Sequence, residues 1–290
     1  MSLACLILLA AFPASAGELE NAFGSASVTV ERSRGAWFRK VVGPQSAEFD
    51  GIEGWGVLPQ PVFDPEREHQ AAPGEEAYKT GPLDRPDVYL GLHADGAEVD
   101  AGLIWDHVYD HAGRDTGEFA YRVYWRTSKG GWNNPTVGVA DNIYLRPGDR
   151  FALTLRAGGD GTARLSVRRA GKNGVSAGYS FPVPGLLAGD GSLKPVSFKR
   201  IHSIDQFRLE GGLRRGNEGR AAIPTRTRLS AGRWEGVHLL KADGSRRALS
   251  GGLATVARGV DAANRYRAVF PVAGVGEGGA EEMRIRPPRS

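Results

Sequence analysis

Residues 151–167 read Phe151-Ala152-Leu153-Thr154-Leu155-Arg156-Ala157-Gly158-Gly159-Asp160-Gly161-Thr162-Ala163-Arg164-Leu165-Ser166-Val167. Apolar residues alternate with small or polar ones on both sides of a Gly-Gly-Asp-Gly centre. A period of two is the mark of a half-buried strand. Asp and Gly tolerate positive φ, so Asp160-Gly161 closes a hairpin. The pattern recurs along the chain. Val28-Thr29-Val30, Ile52 to Val57, Val88 to Leu92, Phe119 to Trp125, Val196 to Ile204 and Arg265 to Phe270 are rich in β-branched and aromatic residues. Between them stand turn sequences such as Arg146-Pro147-Gly148-Asp149, Ala188-Gly189-Asp190-Gly191 and Ala242-Asp243-Gly244-Ser245. No amphipathic pattern longer than two helical turns is found. The reading is all-β: a two-sheet antiparallel β-sandwich.

Composition agrees. Of 290 residues, 41 are Gly and 17 are Pro, a fifth of the chain. Ordinary usage is about 12%. These are the two poorest helix formers, which excludes a mostly helical fold. Apolar residues make up 41%, with 6 Trp, 8 Tyr and 11 Phe, which excludes a disordered chain. The net charge of +4 is too small to argue for nucleic acid and mildly favours acidic partners.

Leu3 to Phe12 form a short apolar run followed by Pro13-Ala14-Ser15-Ala16, a small-residue cleavage site. This reads as a secretory signal peptide over 1–16, too short to span a bilayer. The expectation is a secreted or periplasmic protein whose single domain covers 17–290. Cys5 is the one cysteine and would leave with the signal, so packing alone must hold the fold. Two long polar loops are expected. Residues 60–82 carry Pro61, Pro65, Pro73 and Pro82, and residues 208–223 are basic and Gly-rich.

Several short stretches, in one order, resemble the glutamic peptidases, the eqolisins. Asp87-Val88-Tyr89-Leu90-Gly91-Leu92 and Val99-Asp100-Ala101-Gly102-Leu103 are similar to that family's "W-V-G-I-D-G … I-L-Q-T-G". Phe49 to Pro59, Tyr121 to Trp125, Leu145 to Arg150, Val196 to Phe207 and Ile223 to Leu240 resemble its other core segments. The resemblance runs over roughly residues 45–245. It implies a concanavalin-like jelly roll whose concave face holds an extended polymer. The family's catalytic Gln and Glu fall on Asp100 and Asp205, and a further family Glu falls near Tyr124.

Two carboxylates in one cleft cannot both ionise easily, so one pKa rises and one falls. Such a pair separates an acid from a base and can activate water against a peptide bond at acid pH. It can also cleave a glycosidic bond if the spacing suits. Alternation in Ile201-His202-Ser203-Ile204-Asp205 places Asp205 with Ser203 and Ile201, and His202 on the other face. Trp55, Tyr124, Trp125 and Trp132 are candidate substrate contacts, because aromatic rings suit sugar rings or extended peptide. His93, His107 and His111 lie among acidic residues but lack a recognised metal-ligand spacing, so no metal and no cofactor are expected. Three functions stay open at this point: a hydrolase of polypeptide, a carbohydrate-active enzyme, and a non-catalytic peptide- or carbohydrate-binding protein. All three take an extended polymer as partner, with no nucleic acid and no membrane span.

Overall fold

A computed structural model describes residues 27–32, 36–69, 80–134, 143–171, 174–206, 208–209, 212–213, 225–250, 255–260 and 277–286. The expected signal peptide, most of the basic loop, residues 70–79 of the first loop and the expected strand at 265–270 lie outside the described residues.

Eleven strands carry the architecture: β1 (Ala36–Val42), β2 (Gly51–Val57), β3 (Arg85–Ala94), β4 (Ala97–Tyr109), β5 (Asp115–Thr127), β6 (Arg150–Ala157), β7 (Thr162–Arg169), β8 (Val175–Pro182), β9 (Ser197–Asp205), β10 (Arg228–Leu240) and β11 (Glu281–Ile285). The helical structure among the described residues is one short 3-10 turn, Glu277–Gly279. The first sheet runs β1-β9-β3-β4-β5, with Thr255–Val260 and then Ser27–Arg32 beyond β1. The second runs β8-β7-β6-β2-β10, with β11 and Gln60–Val62 also on β10. The fold is the antiparallel β-sandwich that the alternation predicts; among the described residues one pair is parallel, Ser27–Arg32 with Thr255–Val260.

The opening hairpin forms as read. Phe151 pairs Arg169 and Ala157 pairs Ala163. Gly158 N–H donates to the Thr162 carbonyl at 2.7 Å. The Asp160 carboxylate accepts from Thr162 N–H at 3.1 Å, which pins the turn.

Alternation then decides what enters the core. Val88, Leu90 and Leu92 of β3 and Val99, Ala101 and Leu103 of β4 face Leu153 and Leu155 of β6, Leu165 and Val167 of β7, and Val237 and Leu239 of β10. The core needs no covalent staple, because the central strands of both sheets each bury a face of apolar side chains. At one end of the sandwich a second apolar group forms from Trp37, Ile204, Leu229 and Ile285. Beside it, facing inward from the same strands, lie Arg39, Arg200 and His202, all buried. Glu281 on β11 bridges the two guanidiniums, with Arg200 at 2.6 Å.

Candidate functional site

The inward set of residues fixes the outward set. On β3, β4, β5 and β9 the side chains that point away from the core are Asp87 and Tyr89, Asp100 and Ile104, Arg122 and Tyr124, and Lys199, Ser203 and Asp205. Cross-strand register aligns them in rows. Ser203 faces Asp87, which faces Ile104; Ile201 faces Tyr89; Lys199 faces Gly91, which faces Asp100. Asp100 in turn faces Arg126. This outer face of the first sheet therefore carries both carboxylates that sequence reasoning selected, together with Tyr124.

The register keeps the two apart. Asp100 is level with Lys199, and Asp205 lies six positions further along β9, about 20 Å of strand. Asp87 stands between them. Asp205 faces Arg85, so Asp205 and Asp87 are diagonal neighbours, about 7–8 Å apart at the backbone. The carboxylate beside Asp205 is thus Asp87, and the expected Asp100–Asp205 pair becomes a file of three.

Electrostatics differ along this file. At one end Lys199, buried, is ion-paired to Asp100 at 2.8 Å and to Glu98 at 2.6 Å. Burial works to lower the Lys199 pKa, but Asp100 and Glu98 raise it beyond the usual lysine value. The Lys199 side chain reaches Asp100 by crossing Gly91. A Cβ there would stand 2.4 Å from Lys199 Cε and 3.0 Å from an Asp100 carboxylate oxygen. Only glycine leaves room for this bridge.

At the other end no lysine pairs with Asp87 or Asp205 among the described residues. Asp87 is 3% exposed. Burial pushes its pKa up to about 7, against the hydrogen bond from the Ser203 hydroxyl, and the Asp100 charge adds to the rise. Arg85 opposes the rise, but that guanidinium is engaged by Asp106 at 2.7 Å. Burial likewise raises Asp205 well above the carboxylate range, and Asp87 raises it further. Tyr89 and Tyr124 meet edge to face, ring centres 5.9 Å apart, and burial raises both phenols well above their ordinary values. Burial and mutual repulsion therefore make both carboxyl groups hold their protons to higher pH than a carboxyl group in water does.

The aromatic candidates part company. Tyr124 lies on the carboxylate face and is buried in its floor. Trp125 turns to the core, stacked on Phe181 at 5.1 Å and packed against Tyr179. Trp55 is on the outer face of the second sheet, stacked on His238. Trp132 belongs to the short strand Gly131–Asn133, and its side chain lies outside the described residues. Thus neither Trp55 nor Trp125 can line the same groove as Asp100. The shift for Trp125 follows from alternation: it shares a face with Tyr121 and Val123, both in the core. His107 is held by Asp115 at 2.7 Å and by the Thr80 carbonyl at 3.0 Å. Among the described residues no group of three His, Cys, Asp or Glu could hold a metal ion.

Sequence reasoning missed Asp87, Lys199 and Ser203 as members of the site. The signal for Asp87 was available. Asp87, Tyr89 and Gly91 alternate with Val88, Leu90 and Leu92, so a carboxylate had to share the face of Asp100's neighbour. Lys199 carried no such signal, because its role depends on the register of β9 with β3.

Comparison with known proteins gives structural neighbours only. No family model matches the chain, and a search of curated proteins finds no match. Among solved structures the chain is similar to scytalidoglutamic peptidase bound to a peptide-based transition-state analogue. That match has 11% identity and a TM-score of 0.48, covering 87% of this chain and 98% of that one. It is also similar to SCP-B, a member of the eqolisin family of peptidases, in complex with a tripeptide, at 11% identity and a TM-score of 0.39, covering 88% and 98%. An alginate lyase from Klebsiella pneumoniae matches at 13% identity and a TM-score of 0.29, over 56% of this chain and 54% of that one.

Proposed function

We propose that the protein is a secreted hydrolase that cuts an extended polypeptide along the outer face of the first sheet. The observation that carries this reading is the Asp87–Asp205 neighbourhood: a buried and a half-buried carboxyl group on adjacent strands, both raised above the usual carboxylate range. Asp205 serves as the proton donor and Asp87, once ionised, as the base. Water loses a proton to Asp87 as its oxygen bonds to the scissile carbonyl carbon. Asp205 gives its proton to the carbonyl oxygen. When the tetrahedral adduct collapses, the C–N bond breaks and the amine leaves with the proton that Asp87 had taken. Asp205 recovers its own proton from the hydroxyl as the carbonyl re-forms. Asp100, ion-paired to Lys199 further along the same face, orients the chain of the substrate. The absence of Trp55 and Trp125 from this face supports a peptide over a stack of sugar rings.

The test is zymography of the mature protein on casein and on a panel of polysaccharides, from acid to mildly alkaline pH. Clearing of casein is expected, and Asp205→Asn and Asp87→Asn should each reduce it about a hundredfold to ten-thousandfold. Full activity in both variants, or clearing of a polysaccharide alone, would overturn the reading.

A further inference from the structure

The outer face of the second sheet holds a groove of about 680 Å³, on the far side of the sandwich from the aspartates. Its floor comes from four adjacent strands: Glu53 and Trp55 on β2, Ala152 and Thr154 on β6, Ser166 and Arg168 on β7, and Ser176 and Gly178 on β8. At a strand spacing of about 4.8 Å it spans about 14 Å, enough for a short oligosaccharide. Arg246 closes the β2 end, ion-paired to Glu53 at 2.9 Å.

Three features of this face suit one ligand class. The first is a fixed aromatic plane. The Trp55 ring lies nearly parallel to the His238 ring, at 7° and 5.1 Å between centres. It rests over Gly236, where a Cβ would come within 2.2 Å of the indole. The ring is thus held flat before any ligand arrives, and flat indole faces suit the apolar faces of sugar rings. The second is a set of small hydroxyl side chains on three strands: Thr154 faces Ser166, and Ser176 lies beside them facing Arg168. Such groups donate to and accept from sugar hydroxyls at little entropic cost. The third is charge. Arg168 is exposed and makes no ion pair among the described residues, and Arg246 adds a second guanidinium against the one carboxylate of Glu53. A planar guanidinium binds carboxylate in a two-point fork.

We infer that this groove is a binding site for an acidic polysaccharide, with a sugar ring on Trp55 and a uronate carboxylate on Arg168. It would hold the protein on an anionic glycan matrix while the opposite face remains free. The site is independent of the hydrolase reading, because no residue is shared between the two faces.

The experiment is affinity electrophoresis and calorimetry with oligogalacturonate and with a neutral glucan of matched length, at low and moderate salt. Wild type should bind oligogalacturonate and not the glucan, and added salt should weaken it. Trp55→Ala and Arg168→Ala should each weaken binding at least tenfold, while Asp87→Asn should bind as wild type does. Arg168 is a surface residue, so Arg168→Ala decides the matter if Trp55→Ala does not fold. Absence of binding by the wild type, equal binding of the neutral glucan, or unchanged binding by Arg168→Ala would each overturn the inference.

Discussion

Strand β9 carries two charged regions on its opposite faces. Inward, Arg200 and His202 join Arg39 and Glu281 inside the sandwich. Outward, Lys199, Ser203 and Asp205 border the file of aspartates. Both regions are largely buried, with Asp205 half-buried at the strand end, yet their carboxylates shift in opposite directions. Burial works to raise Glu281, but the guanidiniums of Arg39 and Arg200 overcome it and hold the group at about 2. Burial raises Asp87 and Asp205; Arg85, which opposes the rise at both, is itself paired with Asp106. The difference lies in the partners, not in the burial. A carboxylate with two dedicated guanidiniums becomes structural. A carboxyl group with another carboxyl group as diagonal neighbour, and no dedicated guanidinium, keeps a proton it can use.

The largest effect expected from this contrast comes from Glu281→Gln. It leaves two guanidiniums in the interior without a counter-charge and should cost roughly 3–5 kcal/mol, read from urea unfolding at pH 7. A loss below about 1 kcal/mol would mean that water or another group already solvates the two arginines.

The pH dependence of stability should separate the regions next. Burial lowers His202 from 6.5 to about 3, so the fold loses stability as pH falls below 6.5. Glu281 adds a further loss as pH falls from 4.5 towards 2. The aspartates act with the opposite sign. Their raised pKa values contribute stability below 3.8 that disappears as pH rises through about 7 for Asp87. Unfolding midpoints measured from pH 3 to 9 should therefore rise and then decline, with a maximum on the acid side of neutrality. Asp87→Asn should remove part of the alkaline decline and stabilise the protein at pH 8 by roughly 1–2 kcal/mol. Destabilisation there would show Asp87 to be a structural residue like Glu281.

The smallest effect is that of Ser203→Ala, which removes the hydroxyl that donates to Asp87. It should cost about 1 kcal/mol in stability and raise the Asp87 pKa further, shifting the acid limb of activity, where the base must ionise, to higher pH. No movement of that limb would show that Ser203 holds the strands together and does not tune the site.

The sandwich was legible because its strands obey alternation. The hairpin at 151–167 formed as read, and the face assignments in Tyr121 to Trp125 and in Ile201 to Asp205 follow the same rule. Of the strands that escaped notice, two did so for plain physical reasons. In Ala36–Val42, Arg39 stands where an apolar core residue belongs, since its partner Glu281 is more than two hundred residues away. In Val175–Pro182 half of the residues are Ser, Ala or Gly, as the exposed edge of a sheet permits. The site was half legible. Asp100 and Asp205 do lie on one face, but register, which sequence does not encode locally, sets Asp87 between them. The same gap in register hid the lysine bridge over Gly91. Aromatic clustering in sequence misled, because Trp55 and Trp125 belong to different sheets and different faces.

The most direct test of the central idea is a carboxyl ¹³C NMR titration of aspartate-labelled protein, assigned with Asp87→Asn and Asp205→Asn. The account predicts that at pH 6 at least one of these two carboxyl groups is still protonated. It further predicts that in Asp205→Asn the Asp87 group, freed of its neighbour, titrates at lower pH. Titration of both groups near pH 4, each indifferent to loss of the other, would contradict it.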